Sequence, residues 1–179
     1  MDSVRVRRLA LGDLRIGLSP GLSPEYGAFL AQAGAVCFDT HGHVWGVQMT
    51  VDGAFNEAFA VDWPVVDDAQ RLSWKDFDEA VEYGAYGIAL LVLRDLEGFT
   101  VLEKAIKGGG FDYWVGTHDA LPFQRKSRLE VSGILKGDDS DIRSRVRTKV
   151  AQTELSDGYC PAHVVVVEFS RPLSRVVKK

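Results

Sequence analysis

The stretch Gly110-Phe111-Asp112-Tyr113-Trp114-Val115-Gly116, followed after a short loop by Arg128-Leu129-Glu130-Val131-Ser132-Gly133-Ile134, decides how this chain is read. In both pieces apolar and polar residues alternate with a period of two, which predicts two strands. The intervening residues, Thr117 to Ser127, are few and include Pro122, so the strands are expected to be neighbours in one sheet. By parity Asp112 and Glu130 share a face and meet across the pair. Opposed carboxylates repel, and a divalent cation between them is a common reason for a protein to keep both. The competing reading is a sheet with one wet face, which alternates in the same way and leaves both acids in water.

Working outward, the segment before this pair holds the clearest helix. Phe77, Val81, Ala85, Ile88 and Val92 recur at helical spacing. Ser73 is read as the N-cap with Asp76 three residues on, and Gly98 suits the position after the last turn. Gly84 and Gly87 cost about 1 kcal/mol each inside a helix, so close packing against a sheet or another backbone is expected there. Phe99 to Ile106 reads as a strand and Gly108-Gly109-Gly110 as a turn. Beyond Glu130, the acids Asp138 to Asp141 offer N-caps for a basic helix from about Ile142 to Thr153. Ala162 to Phe169 is a nearly continuous apolar run, the mark of a strand buried on both faces.

The segment up to residue 68 reads as β-rich. Val4 to Ile16 alternates weakly, and Gly17 to Pro24 is a turn region. Tyr26 to Ala35 suggests a short helix. Ala35–Phe38, Val44–Val51 and Ala58–Trp63 suggest strands, the last two joined through the hairpin signal Asp52-Gly53. Pro64 to Asp68 reads as a connection. The expected architecture is α/β, with a β-rich N-terminal extension over 1–68 and a core over 69–179.

The order helix, three strands, helix, strand resembles the PD-(D/E)xK nuclease superfamily, whose core is that of restriction endonucleases. The residues that carry the resemblance are Gly110-Phe111-Asp112 and Leu129-Glu130-Val131-Ser132, with an acid on the first helix. The resemblance implies Mg²⁺ or Mn²⁺ held by Asp112, Glu130 and a helix carboxylate, Glu82 first and Glu79 behind it. It implies cleavage of phosphodiesters in nucleic acid, DNA foremost. The Lys that follows the Glu by two residues in that superfamily is Ser132 here. The cation is then expected from Lys126 or Arg128, at even offsets from Glu130, or from Lys149 on the following helix. Ser132 also motivates an alternative: a catalytically inactive nuclease-fold protein that binds nucleic acid or acts as a subunit of a larger complex. A homo-oligomer pairing its acidic half with a neighbour's basic half is a third reading.

Composition sets the outer limits. The chain has 179 residues, 46% of them hydrophobic, enough for one substantial core. Net charge is −4, against generic nucleic-acid binding, but it is unevenly spread. Residues 1–120 carry nine Lys/Arg and 18 Asp/Glu, a balance of −9, whereas 121–179 carry 12 and seven, a balance of +5. The basic clusters are Arg125 to Arg128 and Arg143 to Lys149, either a phosphate-facing patch or a solvated helix face. Met1 to Arg8 lacks the apolar run of a secretory signal, and Ile88 to Leu93 is far too short for a membrane span. Two cysteines without metal spacing, Cys37 and Cys160, fit a reduced cytoplasmic setting. Thr40-His41-Gly42-His43 reads as a polar turn and His163 as structural. His118-Asp119 falls in the loop between the key strands. Trp114 shares the Asp112 face, where it is core or a platform for a base.

Overall fold

The computed structural model describes residues 6–118, 124–158 and 160–179. Asp119 and Pro122 of the loop between the key strands lie outside the described residues. The strands are β1 (Arg7–Ala10), β2 (Val47–Gly53), β3 (Glu57–Asp62), β4 (Phe99–Lys104), β5 (Tyr113–Thr117), β6 (Ser127–Ile134), β7 (Ala162–Glu168) and β8 (Leu173–Lys178). The helices are α1 (Pro24–Thr40), α2 (Asp68–Ser73), α3 (Phe77–Glu97) and α4 (Asp139–Thr153). Among the described residues, these eight strands join one mixed sheet in the order β1-β3-β2-β8-β7-β6-β5-β4. The protein is therefore α/β.

β4, β5 and β6 form an antiparallel meander, and β7 runs parallel to β6 after the crossover through α4. A parallel pair needs such a crossover, because a tight turn cannot reverse the chain twice. β7 is buried along its whole length, as its run of four valines requires of a central strand. β1, β2 and β3 of the N-terminal segment share this sheet with the rest of the chain, since β2 pairs in parallel with β8. β8 and α2 carry no assignment in the sequence reading. Their signals are the alternation of Leu173 to Val176 and a capping box in which Asp67 and Gln70 bond reciprocally.

Two expectations are corrected. Ala35–Phe38 is not a strand but the last part of α1, a single 17-residue helix. Its apolar run from Ala33 to Phe38 is unbroken because α1 is buried on most sides there, and periodicity alone does not distinguish a buried helix from a buried strand. Ser73 does not cap α3. It ends α2, and Asp76 is the cap, accepting from the Asp78 amide at 3.0 Å.

Close helix packing explains the glycines of α3. A Cβ on Gly84 would lie 2.9 Å from Gly34 Cα and 3.2 Å from the Ala33 carbonyl carbon, so α1 and α3 meet backbone to backbone. At Gly87 the neighbours are Leu14 and Leu30. α3 ends at Gly98, which adopts φ 67° as a left-handed C-cap.

α3 and α4 cover opposite faces of the sheet. Along β6, Gly133 faces the Val81 carbonyl of α3, whereas Glu130 and Ser132 face α4. α4 is mostly exposed and anchors through Ile142, which packs with Ile134 and Val166. Asp138 is the cap chosen from the acidic run. It accepts from Ser140 and Asp141, and Asp141 returns a bond to the Asp138 amide.

Candidate functional site

The site lies where β5 and β6 diverge, between α3 and α4. Asp112 stands one residue before β5. Its amide donates to Leu129 O and its carbonyl accepts from the Ala105 amide, so the meander fixes its backbone on both sides. Its carboxylate is equally constrained. Oδ2 accepts from the Val131 amide at 2.8 Å, and Oδ1 lies 3.0 Å from the Tyr86 hydroxyl. The same hydroxyl lies 3.0 Å from Glu82 Oε1, one turn earlier on α3. A phenol has one proton, so it satisfies only one of the two carboxylates at a time.

Glu130 points to the α4 side, only 4% exposed. Its Oε1 accepts from Lys149 Nζ at 2.5 Å. Burial, and then the charge and proximity of Asp112, push its carboxyl up to about 7, against the pull of Lys149. Two turns of α4 face this spot together. Arg145, four residues before Lys149, donates from Nη1 to Ser132 Oγ at 2.9 Å.

The site thus gathers Glu82, Asp112, Glu130 and Lys149. Two other proposed cations are placed elsewhere, which corrects the expectation that Lys126 or Arg128 reaches Glu130. β6 begins at Ser127, so the strand parity that put Lys126 on the Glu130 face does not extend to it. It is exposed and its ammonium bonds Gln124. Arg128 does share the face but is committed to the far end of α4. Its buried guanidinium donates to Cys160 O, Thr153 O, Ser156 Oγ and Asp157 Oδ1 at 2.7–3.2 Å. Arg128 is thus a cation at a helix C-terminus, where the exposed carbonyls favour positive charge. Glu79 is exposed and outside the cleft lining, so Glu82 is the helix carboxylate at the site.

Tyr86, Arg145 and Lys136 line the cleft, Tyr86 and Lys136 unremarked in the sequence and Arg145 read there only as part of the basic Arg143–Lys149 cluster. The available signal for the first two was spacing by four residues, Tyr86 after Glu82 and Arg145 before Lys149. Glu82 and Asp112 sit between two lobes, and Glu130 faces the second of them. One, of about 620 Å³, holds Ser132, Lys136, Arg145 and Lys149. The other, of about 490 Å³, holds Lys104, Lys107, Tyr83 and Phe111.

The donor set is all carboxylate and phenol oxygen, the chemistry that suits Mg²⁺ or Mn²⁺. Among the described residues, no three His, Cys, Asp or Glu side chains stand close enough to enclose a metal by themselves. Mg²⁺ does not need that. One or two carboxylates with waters and a substrate phosphate suffice. A cation between Asp112 and Glu130 would also offset the Asp112 repulsion that adds to burial in raising the Glu130 carboxyl.

The histidines have structural partners. His41 and His43 each place Nε2 on a backbone carbonyl, Leu135 O at 2.7 Å and Phe169 O at 2.9 Å. His163 is buried with Nδ1 2.7 Å from Ser127 Oγ, and burial lowers its pKa. Cys37 and Cys160 are both free thiols. Among the described residues, no helix is long and apolar enough to cross a membrane.

Compared with models of protein families, with curated proteins and with solved structures, the chain finds no match.

Proposed function

We propose that this protein is a Mg²⁺-dependent phosphodiesterase acting on nucleic acid, DNA foremost, built on a restriction-endonuclease-like core. The observation that carries the reading is the convergence of Asp112, Glu130 and Lys149, with Asp112 and Lys149 lining a cleft that also holds Arg145 and Glu130 bonded to Lys149 beside it. α3, the meander β4–β6, the crossover α4 and the parallel β7 are the elements that the resemblance calls for, in that order. Asp112 and Glu130 would hold the metal together with waters and a substrate phosphate, and Glu82 stands behind Asp112 across the Tyr86 hydroxyl. When bound the metal supplies charge for the developing transition state and a more acidic water.

The chain's own residues do the rest. The Val131 amide and Tyr86 hydroxyl fix the Asp112 carboxylate, so its orientation is set before substrate arrives. Lys149 brings from α4 the cation that Ser132 lacks on β6. Released from Glu130 by a competing cation, its ammonium can orient a water or hold a phosphate oxygen. Arg145 presents a guanidinium at the Ser132 hydroxyl, suited to a non-bridging phosphate oxygen. These cations hold backbone and do not read sequence.

The test is cleavage of duplex, single-stranded and branched DNA with Mg²⁺ or Mn²⁺. Wild type is expected to cut, with Asp112→Ala and Glu130→Ala inactive. Equal cleavage by wild type and Glu130→Ala refutes the assignment. The direct Lys149–Glu130 bond favours a second reading, a nuclease-fold protein that binds without cutting. Salt-dependent binding with no metal-dependent cleavage would select it.

A further inference from the structure

Beside the second lobe lies a depression of about 410 Å³ that the phosphodiesterase reading does not use. It shares Lys104, Phe111 and Leu155 with that lobe, so the two are continuous. Its floor is an edge-to-face pair, Phe111 and Trp114, with ring centroids 4.6 Å apart at 75°. Two large apolar side chains stand at its rim almost wholly in water, Ile106 at 89% and Leu155 at 77% exposure. The Arg125 guanidinium lies over Trp114 at 4.3 Å from the ring centre and pairs with Glu103.

We propose that this cup is a stacking subsite for an unpaired nucleobase, whose strand continues past Lys104 and Lys107 to the Asp112–Glu130 carboxylates. The inference rests on the reading of the groove as a nucleic-acid site, not on cleavage.

Three observations favour that occupant. The floor is aromatic and the rim apolar, and every base has a π-face to stack. Next to the cup the charge is mainly basic, with Lys104, Lys107 and Arg125 against Glu103, while the acids Glu82, Asp112 and Glu130 stand further along the second lobe, which suits a ligand flat and apolar in one part and anionic in the next. Lys104 is also tethered at the seam of the two depressions. Its ammonium lies 4.7 Å from the Tyr113 ring centre and 5.0 Å from that of Tyr86, an arrangement that holds a cation in place without consuming it in an ion pair. A base inside a duplex is covered on both faces by its neighbours, so only an unpaired base can enter. The substrate class is therefore single-stranded nucleic acid, or a duplex with an unpaired end or flap.

The test is fluorescence anisotropy of labelled oligothymidylate, oligouridylate and a blunt duplex in EDTA, where cleavage is blocked. The two single strands distinguish DNA from RNA. Wild type is expected to bind single strands more tightly than duplex. Trp114→Ala should weaken single-strand binding roughly 5- to 150-fold, the loss of one base–aromatic stack. Trp114→Phe should keep it within about threefold, because a smaller ring still stacks. Leu155→Ser alters only an exposed rim side chain and should weaken single-strand binding even if Trp114→Ala fails to fold. Duplex binding should move little in any variant.

Equal single-strand affinity in wild type, folded Trp114→Ala and Leu155→Ser overturns the inference, as does an equal loss on duplex. Dissociation of a wild-type oligomer by Trp114→Ala, seen by sedimentation without nucleic acid, also overturns it and assigns the cup to a protein contact. Wild type that binds no single strand refutes both the cup and the nucleic-acid groove. Binding without Mg²⁺-dependent cleavage counts against catalysis alone.

Discussion

Replacing Glu130 with Gln should stabilise the folded protein at neutral and alkaline pH. Glu130 is only 4% exposed, and its carboxyl is held at about 7 against an ordinary 4.5. The folded state therefore binds this proton more tightly than the unfolded chain does. Stability is greatest where both states are protonated, and it falls as pH rises from 4.5 through 7. Each tenfold ratio between the two proton affinities is worth about 1.4 kcal/mol. The resulting penalty in wild type is roughly 1 kcal/mol at pH 5, 2 at pH 6 and 3 at pH 8. Gln has nearly the same shape, carries no charge and still accepts from Lys149, so Glu130→Gln removes the penalty. Urea unfolding in EDTA at these pH values measures it directly. The variant should gain up to about 3 kcal/mol at pH 8 and less than about 1 kcal/mol at pH 5. A gain that does not grow with pH, or none at pH 8, refutes the placement of a strained charge at Glu130. Mg²⁺ gives the complementary reading. It should stabilise wild type by about 2.7 kcal/mol at a hundred times its Kd, and Glu130→Gln much less.

The other predictions concern the parts that hold this site. Arg128→Leu removes the buried donors to Cys160 O, Thr153 O and Ser156 Oγ and should cost roughly 3 kcal/mol in denaturant midpoint analysis, whereas Lys126→Ala should cost under about 0.5 kcal/mol. Gly84→Ala forces α3 away from α1 and should lower stability by about 1–3 kcal/mol, read as a lower Tm. In the cleavage assay Lys149→Ala should reduce kcat by roughly 10²-fold or more, the effect of losing a preorganised transition-state donor, and Lys126→Ala should leave it unchanged.

Most of the α3-to-β7 order was legible because most of these elements carry a regular local pattern. The α3 period, the Gly98 stop and the all-buried valines of β7 are local patterns with local causes. The same reasoning failed at Ala35–Phe38. A helix buried on most sides loses its polar stripe and with it the period that identifies it. It also missed the start of α3 by three residues, since Ser73 and Asp76 are both capping residues and only the break after α2 separates them.

The site divides along the same line. Asp112 and Glu130 were legible because a strand's period of two and a short loop are enough to bring two side chains together. Which cation answers them was not. Lys126, Arg128 and Lys149 are equivalent in a list of charges, and pairing distance decides among them. The start of β6 leaves Lys126 in water. The Thr153 carbonyl at the end of α4, with Ser156, Asp157 and Cys160 just beyond it, captures Arg128. The crossover lays α4 across the sheet so that Lys149 and Arg145, one turn apart, arrive over Glu130 and Ser132. Period and spacing act between residues near in sequence, so the chain alone determined the strand pair and its two acids. Contacts between β6 and α4 depend on how the crossover packs, so only the tertiary structure decided which basic residues complete the site.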